Sequence, residues 1–182
     1  GEFLGAFSLS EPQSGSDSSN MKMNAVRNGD SYILNGTKNW VTNGISSDIV
    51  IVFAVTDNNV GHKGISAFII EKGTPGFTTG KKEDKLGIRG SDTCELYFED
   101  CKVPINNRIQ NEGEGFHIAM KTLNGGRIGI ASQALGIARA SLEKSIAYSR
   151  ERKQFNKTLN SFGSVKSKLA QMATRLEAAR LL

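Results

Sequence analysis

Up to about residue 105, apolar side chains recur at every second position or in short unbroken runs. "MKMNAV" (21–26) alternates, "DIVIVFAV" (48–55) and "ISAFII" (65–70) are β-branched runs of the kind a buried strand carries, and "CELYFED" (94–100) alternates again. Asn-Gly in "RNGDSY" predicts a hairpin turn. Loops of Gly, Asn and Asp separate the rest, giving roughly six to eight strands. So many short strands predict an antiparallel sandwich or barrel, and Pro104 marks its exit.

From about Gly115 the period becomes helical. Ile128, Leu135, Leu142 and Ile146 fall on one stripe with Ala131 and Ala138, in a stretch without proline. The small residues Gly129, Ala131, Ala134, Gly136 and Ala138 leave room for another helix or a flat ligand. "LNGGR" (123–127) places glycines directly ahead of this helix and Arg127 in its first turn, where a cation opposes the dipole and points to a specific partner. "RERKQF" (150–155) closes the helix with cations that suit either the dipole or a phosphate. Ser164 is the expected N-cap of a second helix, in which Val165, Leu169, Met172 and Leu176 repeat at helical spacing. The class is therefore α+β: a β-domain over residues 1–108, then the first helices of an up-down bundle over 109–182.

Length and composition agree with this division. The chain has 182 residues, 38% hydrophobic, enough for one large or two small domains with a core. It opens at Gly1 without methionine and closes on "RLEAARLL" without a stop signal, so it reads as a fragment. No apolar run is long enough to span a bilayer, which makes a membrane role unexpected. Cys94 and Cys101 match no metal or CxxC spacing and read as reduced thiols; His62 and His117 stand apart from any acidic cluster, so no metal site is expected. The net charge of +5 is uneven: residues 1–120 carry 11 Lys+Arg against 15 Asp+Glu, whereas residues 121–182 carry 12 against 3. That basic excess fits a solvated helix face, and otherwise anionic ligands or nucleic acid.

Two stretches carry candidate chemistry. "FSLSEPQSGSD" (7–17) begins as a strand and becomes a hydroxyl-rich loop containing Gly15, whose N–H groups and hydroxyls can hold a phosphate or the polar edge of a heterocycle. By itself it reads as an ordinary surface turn. "NGTKNWVTNG" (35–44) sets the only tryptophan between two Asn-Gly turn signals. In a strand, Trp40 and Thr42 project to one face about 7 Å apart, so an indole and a hydroxyl meet the same object, as a flat ring with polar edges requires. Alone, Trp40 reads as core packing.

Taken in order, "FSLSEPQSGSD", "NGTKNWVTNG", "KLGIRGSDTCELYFEDCKVP", "GGRIGIASQALGIARA" and "RKQF" resemble the acyl-CoA dehydrogenase family over essentially the whole chain, and "GRIGIASQALGIA" looks most like its short-chain, butyryl-CoA-type branch. The resemblance implies a subunit of three parts, a helical domain, a middle β-domain and a helical bundle, assembled as tetramers. It implies FAD as cofactor, an acyl-CoA thioester as substrate and an electron-transferring flavoprotein as partner, in fatty acid β-oxidation. In the implied reaction a glutamate removes the α-proton while a hydride leaves the β-carbon for flavin N5. By carry-over, Phe7, Leu9, Ser10, Gly15 and Ser16 match one flavin-binding loop, Ser10 near the pyrimidine edge and Ser16 near both the pyrophosphate and the acyl-CoA. Trp40, Val41 and Thr42 match a second flavin segment, the tryptophan on the ring and the threonine hydroxyl near N5. Asn124, Gly125, Gly126 and Arg127 match a substrate-binding stretch, and Arg152 matches an arginine that reaches flavin phosphates across a subunit interface.

This sequence departs from the family pattern in places. Some branches carry the catalytic glutamate where Gly126 stands, so the base is expected beyond Leu182 and no catalytic residue within this chain. Asn124 replaces a frequent Asp, Asn156 a glycine, and Gly163 a flavin-contacting glutamine. A non-dehydrogenase relative (an oxidase, a monooxygenase or a DNA-binding member) is the alternative function, the last kept open by the basic C-terminal third. The compartment implied is cytoplasmic in a bacterium and the mitochondrial matrix in a eukaryote.

Overall fold

The computed structural model describes residues 1–182, which form two compact units, 1–121 and 122–182. In the first unit the strands are β1 (Gly5–Ser8), β2 (Asn24–Asn28), β3 (Ser31–Thr42), β4 (Ile49–Val55), β5 (Ile65–Glu71), β6 (Phe77–Thr79), β7 (Thr93–Pro104) and β8 (Arg108–Ile109). They make one eight-stranded sheet in the order β6-β7-β3-β2-β4-β5-β8, with β1 beside β4. All neighbours are antiparallel except that β1 runs parallel to β4, and β2 meets β4 in parallel at Asn24 and Val55. The expected Asn-Gly hairpin is present: Asn28 pairs with Ser31 across Gly29 and Asp30.

Why the pattern folds this way is visible in what each strand buries. Tyr32 and Leu34 from β3, Val50, Val52 and Ala54 from β4, Phe68 and Ile70 from β5, and Leu96, Phe98, Cys101 and Val103 from β7 meet in one core. Each large side chain so buried contributes roughly 1.5–3 kcal/mol. β4 is also buried on its other face, where Phe53 packs against Phe7 with ring centroids 5.1 Å apart, which is why its sequence is a continuous run. Asn35-Gly36 is a correction: it makes no turn but a register shift inside the 12-residue β3. Gly36 has φ +145°, and a Cβ there would lie 2.8 Å from Met23 Cβ, so only glycine fits. Both cysteines are free and buried; burial first, then nearby carboxylates at Cys94, pushes each thiol up to about 11.

The helices are α1 (Gly115–Glu151) and α2 (Gly163–Leu181), joined by a hairpin of β9 (Lys153–Gln154) and β10 (Lys157–Thr158). α1 starts earlier than the "LNGGR" signal predicts, so Gly125 and Gly126 lie inside it and Arg127 lies well past its first turn. The dipole reading of Arg127 therefore fails. Ser164 is inside the first turn of α2, whose N-cap position is Phe162. In the second unit Leu135, Leu142 and Ile146 of α1 and Val165, Leu169, Met172 and Leu176 of α2 are half-buried, whereas Ile128 is 72% exposed. A groove of about 500 Å³ between these helices is lined by Ala131, Ala134, Ala138, Met172 and Leu176, among others. No helix is long and apolar enough to cross a membrane.

Candidate functional site

The loop after β1 closes on itself. Glu11 and Ser14 exchange backbone hydrogen bonds of 2.8 and 3.0 Å, and Ser14 Oγ donates to the Asp17 carbonyl at 2.7 Å. Gly15 and Ser16 are left exposed, and a Cβ on Gly15 would meet nothing of the chain within 4 Å. Steric demands of the fold do not ask for glycine there; close approach of something outside the chain would.

The second segment is shaped by a bulge. Lys38 pairs with Leu96 and Val41 with Cys94, so Asn39 and Trp40 together oppose Glu95 alone. Trp40 takes φ 58° and its side chain is 64% exposed. A left-handed backbone costs a non-glycine residue roughly 1–2 kcal/mol, and an exposed indole forgoes its burial. The core-packing reading of Trp40 is thus overturned. The conformation is held by hydrogen bonds: Asn39 N–H donates to the Ser10 carbonyl at 2.8 Å, and Trp40 N–H to Asn39 Oδ1 at 2.9 Å. Val41 is buried, and Thr42 is exposed.

Beyond Thr42 the chain turns at Asn43, φ 60°, and is tied to the start of β7. Asn43 N–H donates to the Asp92 carbonyl at 2.9 Å, while the Asp92 carboxylate accepts from Ile45 N–H at 2.7 Å and Ser46 Oγ at 2.6 Å. Burial works to raise the Asp92 carboxyl, but these donors outweigh it and hold it below its ordinary value. Gly44 sits so close to β7 that a Cβ would fall 2.6 Å from Cys94 Sγ.

The two segments are joined by a buried ion pair. Lys38 Nζ donates to Glu11 Oε1 at 2.8 Å, to the Leu9 carbonyl at 3.1 Å and to Met21 Sδ at 3.8 Å. Glu11 also accepts from the N–H groups of Lys22 (2.6 Å) and Met23 (3.1 Å) and from Gln13 Nε2 (2.5 Å). Lys38 is wholly buried and Glu11 nearly so. Burial pushes the Lys38 ammonium down; at Glu11 burial acts upward, but Lys38 and the backbone donors prevail and lower the carboxyl.

Of the predicted residues, the structure thus brings together Ser10, Trp40 and the Val41 backbone through the Asn39–Ser10 hydrogen bond. Ser10 is half-buried, and Ser16 and Thr42 are exposed. Phe7, Leu9 and Val41 point their side chains into packing, which leaves only their backbone for a ligand. Asn124–Arg127 lies in the second unit, exposed along α1, with Arg127 Nη1 donating to Asn124 Oδ1 at 2.7 Å. Arg152 is exposed where α1 ends, beside Lys153 and the hairpin loop. That loop, Phe155-Asn156, has φ 52° and 57°, both left-handed as a two-residue primed turn demands, so Asn156 occupies a position open to asparagine and glycine alike. Sequence reasoning missed Glu11, Lys38, Asn39 and Asp92. A signal for Lys38 existed: it shares the parity of Tyr32 and Leu34, the buried face of β3, and a buried cation needs a partner.

An exposed aromatic face held at an unfavourable dihedral, with a hydroxyl two residues on and a hydroxyl-rich loop tied beside it, is an arrangement on the β-domain that can receive a flat, polar-edged ligand. Residues 6–101 match the model of the acyl-CoA dehydrogenase middle domain, and residues 113–182 that of the acyl-CoA dehydrogenase C-terminal domain. The chain belongs to the acyl-CoA dehydrogenase family, whose members are FAD-dependent oxidoreductases. It is 56% identical over 183 residues to a short-chain specific acyl-CoA dehydrogenase of Megasphaera elsdenii, covering all of this chain and 48% of that protein. The solved structure of butyryl-CoA dehydrogenase from Megasphaera elsdenii superposes with a TM-score of 0.95 at 56% identity, over 98% of this chain and 47% of that one. A structure described as an electron transferring flavoprotein of Acidaminococcus fermentans gives 0.96 at 54% identity, over 98% and 47%. The chain therefore spans about half the length of the relatives it matches.

Proposed function

We propose that residues 1–182 are the middle domain and part of the bundle of an enzyme that oxidises short-chain acyl-CoA thioesters to 2-enoyl-CoA. Bound FAD would supply the hydride acceptor, and an electron-transferring flavoprotein would take the electrons onward. The observation that carries this reading is the Trp40 bulge: an indole displayed at a backbone cost, hydrogen-bonded through Asn39 to the Ser10 loop. Trp40 offers its face to the isoalloxazine ring, and Thr42 and Ser10 offer hydroxyls to its polar edges. Gly15 and Ser16 leave open backbone and a hydroxyl for the pyrophosphate and the thioester, and Arg152 a guanidinium for phosphate, shaped for two-point contact.

Asn124, Gly125, Gly126 and Arg127 face the acyl-CoA in the same reading. Gly126 has no side chain to take a proton, so the glutamate base comes from outside these residues. The domain assignment 1–108 and 109–182 and a tetrameric assembly belong to the same proposal, with the compartment following the source, cytoplasmic in a bacterium and mitochondrial in a eukaryote. The test is anaerobic addition of butyryl-CoA to the full-length protein: its flavin absorption bleaches. A flavin spectrum unchanged by butyryl-CoA and every other short acyl-CoA would falsify the reading.

A further inference from the structure

The Glu11–Lys38 pair is the one buried ion pair of the chain, with side chains 2% and 0% exposed, and it lies between the two segments assigned to the flavin. We infer that it is a positioning device that fixes the Ser10 loop and the Trp40 bulge in register, so that ring-facing and edge-facing groups act as one rigid surface. The inference rests on the flavin reading of that site.

The geometry supports a device for position rather than for stability. A lysine ammonium has three donor hydrogens, and here three acceptors surround it: the Glu11 carboxylate, the Leu9 carbonyl and the Met21 sulfur. A carboxylate accepts at both oxygens, and both are used: Oε1 by Lys38 and Met23, Oε2 by Lys22 and Gln13. Neither side chain can rotate without stranding a buried charge. Yet a buried ion pair is poor value as a stabiliser, because desolvation consumes most of its attraction, and packed apolar side chains of similar volume often serve as well. What an apolar pair cannot do is hold the Leu9 carbonyl, one residue before Ser10, to the residue two before Trp40. Lys38 grips the loop immediately beside the Asn39–Ser10 hydrogen bond, so loop and bulge are joined at two successive residues on each side.

This separates two properties that a merely structural pair would move together. Replacing one partner leaves an unpaired charge and can unfold the domain; replacing both, Glu11→Leu with Lys38→Met, leaves none. In the full-length holoenzyme the double variant is expected to melt within a few degrees of wild type yet to hold FAD about ten-fold or more weakly, with an altered visible circular dichroism of the bound flavin. Lys38→Arg is the second variant: it keeps the charge, but its planar guanidinium cannot copy the pyramidal arrangement of three acceptors, and a several-fold weaker FAD affinity is expected with the fold retained. Folded variants whose FAD affinity and flavin dichroism equal those of wild type would overturn the inference. So would failure of both variants to fold, which would assign the pair to folding alone. A wild-type protein that binds no flavin would instead overturn the underlying functional reading, so the two failures are distinguishable.

Discussion

Trp40 holds a left-handed backbone and an exposed indole at once, two unfavourable choices at a single position. Asn39 holds that conformation, and Asp92 anchors the turn that follows it, its carboxylate taking both the Ile45 N–H and the Ser46 hydroxyl. Charge-assisted hydrogen bonds are about twice as strong as neutral ones, so Asp92→Asn is expected to lower the unfolding free energy by about 1 kcal/mol at pH 7. The pH dependence has a definite sign. Glu11 and Asp92 both have folded values below their ordinary 4.5 and 3.8, so the unfolded chain binds more protons as pH falls. Their contribution is complete above those ordinary values and is lost as pH drops through the lower folded ones. Denaturant titrations at a series of pH values check this: wild type loses stability below about pH 4.5, and its advantage over Asp92→Asn shrinks in the same acid window. An advantage that stays constant down to pH 2 would refute the assignment. None of this was legible from residue type alone. Trp40 and Thr42 could be placed on one face of a strand, but the bulge depends on how many residues β7 sets opposite, which no local pattern of β3 contains.

At the level of elements, periodicity was a sound guide to existence and a poor one to boundaries. The runs 48–55 and 65–70 became β4 and β5 almost residue for residue, because buried strands leave no polar position to blur the pattern. Glycine misled twice. Asn35-Gly36 looked like a turn but continues β3 past a register shift in which Asn35 alone lies opposite Glu99 and Asp100 of β7, and Gly125-Gly126 looked like a helix start but lies within the 37-residue α1. Two interior glycines cost a helix about 2 kcal/mol together, yet propagation across a preformed helix is favourable at each added residue, so a long helix passes through them where a short one would stop. The β9–β10 hairpin shows the converse, a local rule broken in place. Its turn requires two left-handed residues, and Phe155 supplies one at φ 52° with its side chain 86% exposed. Asparagine adopts that conformation with less strain, so Phe155→Asn is expected to steady the hairpin by about 1 kcal/mol. Amide exchange of Lys157 and of Leu159, whose N–H donates to the Arg152 carbonyl at 2.9 Å, should slow about five-fold; unchanged or faster exchange would show that the Phe155–Phe162 ring contact, 6.4 Å between centroids, outweighs the backbone strain.

For the chain as a whole, burial is unevenly shared. Every core side chain from Ala6 to Val103 belongs to the first unit, whereas in the second only Ser149 is buried, and Ile130 and Ile137 of α1 stand 67% and 63% exposed. Local stability follows buried apolar contact, because opening a segment exposes only what that segment had covered. In the first unit, opening β4 or β5 uncovers Val50, Val52, Phe53, Phe68 and Ile70 together and unpairs two ladders, so these strands should open only with the whole sheet. In the second, α2 covers a groove lined mainly by alanines and by half-buried Met172 and Leu176, and its release costs little beyond its own hydrogen bonds. Native-state hydrogen exchange on the 182-residue chain is therefore expected to divide sharply. The amides of β4, β5 and β7 share the slowest, globally limited rates, and those of α2 exchange at least a hundred-fold faster, a difference of about 2.7 kcal/mol in opening free energy. Protection of α2 equal to that of β4 would mean that the helices of the second unit are secured by something other than the apolar area they bury on each other.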